Sequence, residues 1–286
     1  MRDLITSGLK RLVKSENRSP RGDREAEVVA VATVKGGVGK TTTAVNLAAE
    51  LAAHHEKKVL LVDLDGQGHC TTSLKAVVDA EKGEKARRVS DILMSEKDEQ
   101  LLDAAVSTDV EGLDITWADD GLAEAEGRIS QKIGKELLLR DALEVTRSHY
   151  DVILIDCPPN KGNLTLNALL AADQVLIPTD LSPLSVQGAD ELIETVMTVR
   201  QRLNHPLEVL GVVLTRVDGR TVTINAEVMD TIQEAWGELV VEQHIGINTK
   251  IAQAQLEGEP IHLFAPDSRG AKHYGSLATE LVGRLS

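Results

Sequence analysis

Val31-Ala-Thr-Val-Lys-Gly-Gly-Val-Gly-Lys-Thr-Thr42 lies between a run of β-branched residues and a stretch with helical periodicity. Strand, glycine-rich turn and helix in that order is the context in which backbone N–H groups turn inward on phosphate oxygens. Gly36, Gly37 and Gly39 give the turn its freedom, and the end of the helix opening at Lys40 adds a positive dipole. In this reading Lys40 meets β- and γ-phosphates, the Thr41 hydroxyl is a Mg²⁺ ligand, and Val38 and Thr42 complete the cradle. The alternative is a tight turn beside a surface lysine. Against it, Lys-Gly-Gly-x-Gly-Lys-Thr arises by chance at a given position with odds on the order of 10⁻⁷ from average residue frequencies. The common form GxxxxGK[ST] has its first glycine where this chain has Val34, and Lys35 follows. Lys40 already supplies a cation, so one explanation for Lys35 is service to the nucleotide of another subunit.

Outward from this loop, short apolar runs alternate with longer helical patterns. Strands are expected at Val28–Thr33, Val59–Asp63, Leu113–Trp117, Val152–Asp156, Gln174–Pro178 and Val209–Thr215. They are nearly continuous in apolar residues, as parallel strands covered on both faces are. Helices are expected at Lys40–His54, Lys135–Thr146, Asn163–Ala172, Gly188–Leu203, Val222–Trp236 and Ala271–Leu285. The alternation predicts an α/β fold with a doubly wound, mostly parallel sheet flanked by helices. Residues 74–131 are acidic and poorly patterned, and read as an insertion of short helices.

Asp156 ends an apolar strand, which puts its carboxylate at the C-terminal edge where such sheets bind ligands, within reach of Mg²⁺. Asp63 and Asp65 end the second strand in the same way. Phosphoryl transfer relies on positioning and charge stabilisation, so two further carboxylates near the metal and the attacking water are useful.

Composition narrows the possible functions. The 286 residues are 42% hydrophobic and 27% charged, with 31 basic against 45 acidic groups. The first 24 residues carry seven Lys/Arg and three Asp/Glu, a net +4, which leaves −18 on the rest. So acidic a body excludes wholesale nonspecific attraction to nucleic acid or anionic lipid, and any such binding needs a local basic patch. Five aromatic residues give little basis for recognition by base stacking. Cys70 and Cys157 cannot build a disulfide framework and lack metal-ligand spacing, and the eight histidines show no ligand spacing either. No run reaches the roughly 18 apolar residues of a membrane span, and a cytoplasmic location is expected. Residues 1–14 read as a short basic amphipathic helix and 15–26 as a linker, leaving residues 27–286 as one domain.

KGGVGKTT at residues 35–42 resembles the deviant Walker A motif of the ParA/MinD family of dimerising ATPases. The resemblance covers roughly residues 27–286. Val62-Asp-Leu-Asp-Gly-Gln-Gly68 is similar to the family's DxDxQ segment, and Asp151-Val-Ile-Leu-Ile-Asp-Cys-Pro-Pro159 to its Walker B strand. Gly211–Thr221 and Pro266–Lys272 match later segments of the ParA branch. The resemblance implies a P-loop ATPase using ATP and Mg²⁺, slow and stimulated by a partner, with Lys35 reaching the phosphates of a second protomer. It assigns Asp65 to positioning or activating the water near the metal, Asp156 to the metal, and Asp63 to a structural or metal-linked role. Gly66 stands where the family often has proline.

Thr215-Arg-Val-Asp218 superficially resembles the [NT]KxD guanine-reading motif, with Arg216 for its lysine, whereas the family resemblance implies adenine. ParA-like relatives bind double-stranded DNA nonspecifically as ATP dimers and work with ParB-like or cargo-adaptor proteins at the nucleoid. By that resemblance Arg220 and Lys250 are DNA contacts, with Arg269 and Lys272 near them in sequence. Ile247 takes the place of an arginine common in relatives, which removes one phosphate contact. Two rivals stay open: a MinD-like membrane-cycling regulator of division, for which the C-terminal helix looks too domain-packed, and a metabolic enzyme built on the same ATPase fold.

Overall fold

The computed structural model describes residues 25–97, 99–218 and 222–285. The amphipathic segment expected at 1–14, most of the linker, and Arg220 lie outside the described residues. Seven strands form one sheet: β1 (Glu27–Val31), β2 (Val59–Asp63), β3 (Ala105–Ser107), β4 (Leu113–Thr116), β5 (Val152–Asp156), β6 (Gln174–Thr179) and β7 (Glu208–Leu214). Their order is β3-β4-β2-β5-β1-β6-β7, and every pairing is parallel except β3 with β4. β1 lies inside the sheet between β5 and β6, in register with β5 through Val31↔Asp156, which sets the loop after Val31 beside the Asp156 carboxylate.

The nearly unbroken apolar strands are explained by two cores. Val28 and Ala30 face one buried cluster, while Val29 and Val31 face the other. Each buried Val, Leu or Ile contributes about 1.5–3 kcal/mol relative to exposure. α1 (Lys40–His55) lies on the second face beneath the phosphate loop. α12 (Arg269–Arg284) packs on α1 through Tyr274, Leu277 and Leu281, each at most 1% exposed. The C-terminal helix therefore spends its apolar face on its own domain. No described helix is long and apolar enough to cross a membrane.

The remaining helices are α2 (His69–Leu74), α3 (Ala80–Lys85), α4 (Val89–Met94), α5 (Leu122–Ile129), α6 (Leu138–Leu143), α7 (Asn163–Ala171), α8 (Pro183–Arg202), α9 (Val222–Trp236), α10 (Thr249–Glu257) and α11 (Ile261–Phe264). Several expectations need correction. The helix expected over Lys135–Thr146 shortens to α6 and is followed by a separate 3₁₀ turn at Thr146–His149. α8 starts at Pro183, five residues before the expected Gly188. Proline suits the first turn, and the exposed Leu184 there masks the start of the apolar stripe. α12 starts two residues early because the Ser268 side chain accepts from Ala271 N–H as an N-cap. β3 is only three residues long and pairs on one side only, so it carries little hydrophobic signal.

Candidate functional site

The phosphate loop leaves β1 at the C-terminal edge of the sheet and enters α1. Gly37 and Gly39 adopt φ of 81° and 84°, a left-handed backbone that a side chain disfavours. Thr215, just past β7, donates its hydroxyl to Val38 O at 2.6 Å, and Arg216 Nη1 donates to Gly37 O at 2.8 Å. Two loop carbonyls are thereby turned toward β7. Arg216, the residue in the guanine-motif lysine position, is itself left-handed at φ 54°.

Beneath the loop a buried charge cluster forms. Lys40 Nζ donates to Asp156 Oδ1 at 2.7 Å, and Thr41 donates its hydroxyl to Asp156 Oδ2 at 2.7 Å. Burial opposes the charge on Lys40, but the Asp156 carboxylate outweighs it and holds the ammonium above its ordinary pKa. Asp63 accepts backbone N–H bonds from Asp65 and Cys70, so it organises the β2–α2 turn. Burial, then the charge of Asp156, pushes its carboxyl well above the usual carboxylate range. Asp65 is 8% exposed, and its Oδ1 accepts from Gln67 N–H.

The sequence missed Cys70. Its thiol donates to Asp156 Oδ2 at 3.4 Å, and burial pushes its pKa up strongly. The ligand atoms of Asp63, Cys70 and Asp156 lie within 4.8 Å of one another. No spacing rule brings β2, α2 and β5 to one point; only the sheet order does.

Lys35 is held differently. Its ammonium donates to Ser182 Oγ at 2.8 Å and Ser185 Oγ at 3.0 Å, at the start of α8. These serines carried no signal in the sequence. A cavity of about 700 Å³ opens over the loop, with Lys35, Lys40, Thr41, Asp65, Arg216 and Ile247 in its wall. The structure thus gathers Lys35, Gly36, Gly37, Val38, Gly39, Lys40, Thr41, Thr42, Asp65 and Asp156 at one site. Thr42 stands at its edge, where its hydroxyl accepts from Gln255 Nε2 of α10 at 2.9 Å.

The chain matches known proteins in sequence and in fold. The family model described as an AAA domain matches residues 26–209. The sporulation initiation inhibitor protein Soj of Bacillus subtilis is 40% identical over 256 residues, which are 90% of this chain and 98% of Soj. The chromosome partitioning protein ParA of Caulobacter vibrioides is 40% identical over 261 residues, 90% of this chain and 94% of that one. The chain belongs to the ParA/MinD family. Among solved structures, a Mycobacterium smegmatis protein titled cobyrinic acid a,c-diamide synthase, with bound ATP analog and magnesium, superposes with a TM-score of 0.73. It is 34% identical to this chain, and the match covers 90% of this chain and 94% of that one.

Within the ParA/MinD fold, Lys250, Arg269 and Lys272, three of the residues expected to contact DNA, are not part of the cavity wall. Lys250, in the first turn of α10, is exposed, with its ammonium 5.8 Å from the Phe264 ring centroid. Arg269 and Lys272, in the first turn of α12, are also exposed. The two helix starts meet: a Cβ on Gly270 would lie 2.8 Å from Ile251 Cγ1. Three cations thus share one end of the α10–α12 pair, and Ile247 nearby is 59% exposed.

Proposed function

We propose that this chain is a ParA-type ATPase. Two ATP-bound protomers close face to face, and a partner that stimulates hydrolysis reopens them. The observation that carries the reading is the division of labour between the loop's two lysines. Lys40 is committed to Asp156 beneath the loop, while the Lys35 ammonium stands at the start of α8, donating to the Ser182 and Ser185 hydroxyls with the Asp180 carboxylate close enough to interact. A partly exposed cation whose direct bonds go to neutral hydroxyls can be released to a second nucleotide. Nucleotide state then selects oligomeric state, because the triphosphate is fully contacted only between two protomers. In this reading residues 27–286 form one ATPase domain, and residues 1–26 are a basic amphipathic extension and linker.

The chemistry follows from the buried cluster. The Thr41 hydroxyl and Asp156 carboxylate are hard oxygen donors side by side, a set that suits Mg²⁺, with Asp65 on the same edge. When bound, the ion neutralises charge developing on the phosphates. Lys40 adds a second positive charge, the loop N–H groups and the α1 dipole add partial ones, and Asp65 orients the attacking water. Loss of the Asp65 carboxylate blocks turnover but leaves ATP bound.

The closed dimer binds double-stranded DNA without sequence preference through Lys250, Arg269 and Lys272, joined by Arg220, and so associates with the nucleoid. Charged side chains at helix starts reach phosphates and read no bases. Ile247 in place of a cation lowers the salt slope by about one unit relative to relatives with arginine there. The cycle positions a DNA or protein cargo through a ParB-like or adaptor partner. Gel shifts on duplexes of unrelated sequence, with ATP and Asp65→Ala protein at two salt concentrations, test this. Expected are salt-sensitive shifts on every duplex and a dimer in sedimentation. A monomer at saturating Mg-ATP would overturn the switch, and a dimer without any shift would overturn the DNA surface alone.

The synthase match favours a second reading, ATP-driven amide formation. Under it, ADP release would require a carboxylic acid acceptor and an amine donor, and would be indifferent to DNA.

A further inference from the structure

At the far end of α1 from the phosphate loop, a second polar cluster has no part in the ATPase reading. Glu50 is a buried carboxylate, 4% exposed, hydrogen-bonded to His54 Nδ1 at 2.8 Å, one helical turn away. The His262 ring, carried by the short helix α11, meets the His54 ring edge to face with centroids 5.3 Å apart. Both His262 ring nitrogens are buried without a hydrogen-bond partner. An open cavity of about 380 Å³ adjoins all three side chains, with His55 also in its wall.

A buried imidazole with neither nitrogen satisfied is uncommon and calls for an unseen water or ion. Here the chemistry favours an ion. A neutral imidazole keeps a lone pair on one ring nitrogen, and neither nitrogen of His262 spends its hydrogen-bonding capacity on a protein partner. The Glu50 carboxylate pairs with His54 and with no lysine or arginine among the described residues. Two imidazoles and one carboxylate are a donor set typical of zinc and its first-row neighbours. The i, i+4 spacing of Glu50 and His54 puts both on one face of α1.

We infer that Glu50, His54 and His262 form a binding site for a divalent transition metal such as Zn²⁺, linking the end of α1 to α11. These donors are less tightly gathered than Asp63, Cys70 and Asp156, so closure requires the His54 ring to turn out of its edge-on contact. Its side chain is 56% exposed and has room to do so. α11 is already tied to the nucleotide helix, because Asn46 Oδ1 accepts from Ile261 N–H at 2.8 Å. An ion there adds a second tie between the same two elements.

The test is calorimetric titration of the full, untagged, chelator-stripped chain with ZnCl₂, repeated with CoCl₂ to follow the visible bands of bound Co²⁺. Cys70→Ala protein serves as background, so that the buried trio under the phosphate loop cannot account for binding. Expected is one equivalent bound with a rise in melting temperature, weakened at least tenfold in His54→Ala and in His262→Gln. His54→Ala changes an exposed side chain, so it keeps the test decisive should His262→Gln fail to fold. No binding in the Cys70→Ala background, or equal affinity in His54→Ala, would overturn the site.

Discussion

Lys40→Ala should do more than empty the phosphate loop; it should expose the cost of the buried carboxylates. Lys40 Nζ and Asp156 Oδ1 are 2.7 Å apart with side-chain exposures of 7% and 0%. At an effective dielectric near 20, that separation corresponds to about 6 kcal/mol of gross attraction, offset in part by desolvation of both groups. Removing one partner of such a pair costs about 3–5 kcal/mol, because the other charge stays buried and unpaired. Asp63 deepens the penalty, since its carboxyl is already raised by burial and by Asp156. The double variant Lys40→Ala/Asp156→Asn, which removes the stranded charge, should recover about half of the loss. The sign with pH is fixed as well. A buried carboxyl whose native pKa lies above its unfolded value takes up its proton first in the native state, so the Lys40→Ala deficit should shrink as pH falls. Urea unfolding in Mg²⁺-free buffer measures all three quantities. A loss under about 1 kcal/mol, or no recovery in the double variant, would refute the account of Lys40 as the counter-charge of this cluster.

Three further outcomes are expected. Ser182→Ala/Ser185→Ala removes the two hydroxyls that hold Lys35, worth about 1 kcal/mol together at a half-exposed site. In an Asp65→Ala background, ATP-dependent dimerisation should then reach half-completion at about fivefold lower ATP in light scattering. Gly68→Ala places a Cβ 2.7 Å from Ala118 Cβ at a backbone φ of 63°, and should cost about 1–3 kcal/mol in urea unfolding. His262 is neutral in the native state down to about pH 4, whereas the unfolded ring takes a proton near pH 6.5. Its contribution is therefore complete above pH 6.5 and lost as pH falls toward 4, and His262→Gln should flatten that slope when stability is compared at pH 7 and pH 5 in chelator.

Local chemistry made the glycine-rich loop and the carboxylates around it legible in the sequence. A phosphate loop needs glycines, a lysine and a threonine at fixed offsets between a strand and a helix, so Lys35 to Thr42 could be read as a unit, and so could the carboxylates closing β2 and β5. Buried parallel strands need apolar residues on both faces, so six of the seven strands were visible, while the short edge strand β3 was not. What lay beyond reach were contacts between residues far apart in the chain. The thiol of Cys70 on Asp156, the two hydroxyls that accept from Lys35, the grip of Arg216 on Gly37, and the meeting of the His262 and His54 rings each join elements that are neighbours only in space. Sequence periodicity reports which face of an element is buried. Which partner lies across that face depends on strand order and helix packing, and these were decided by the tertiary fold alone.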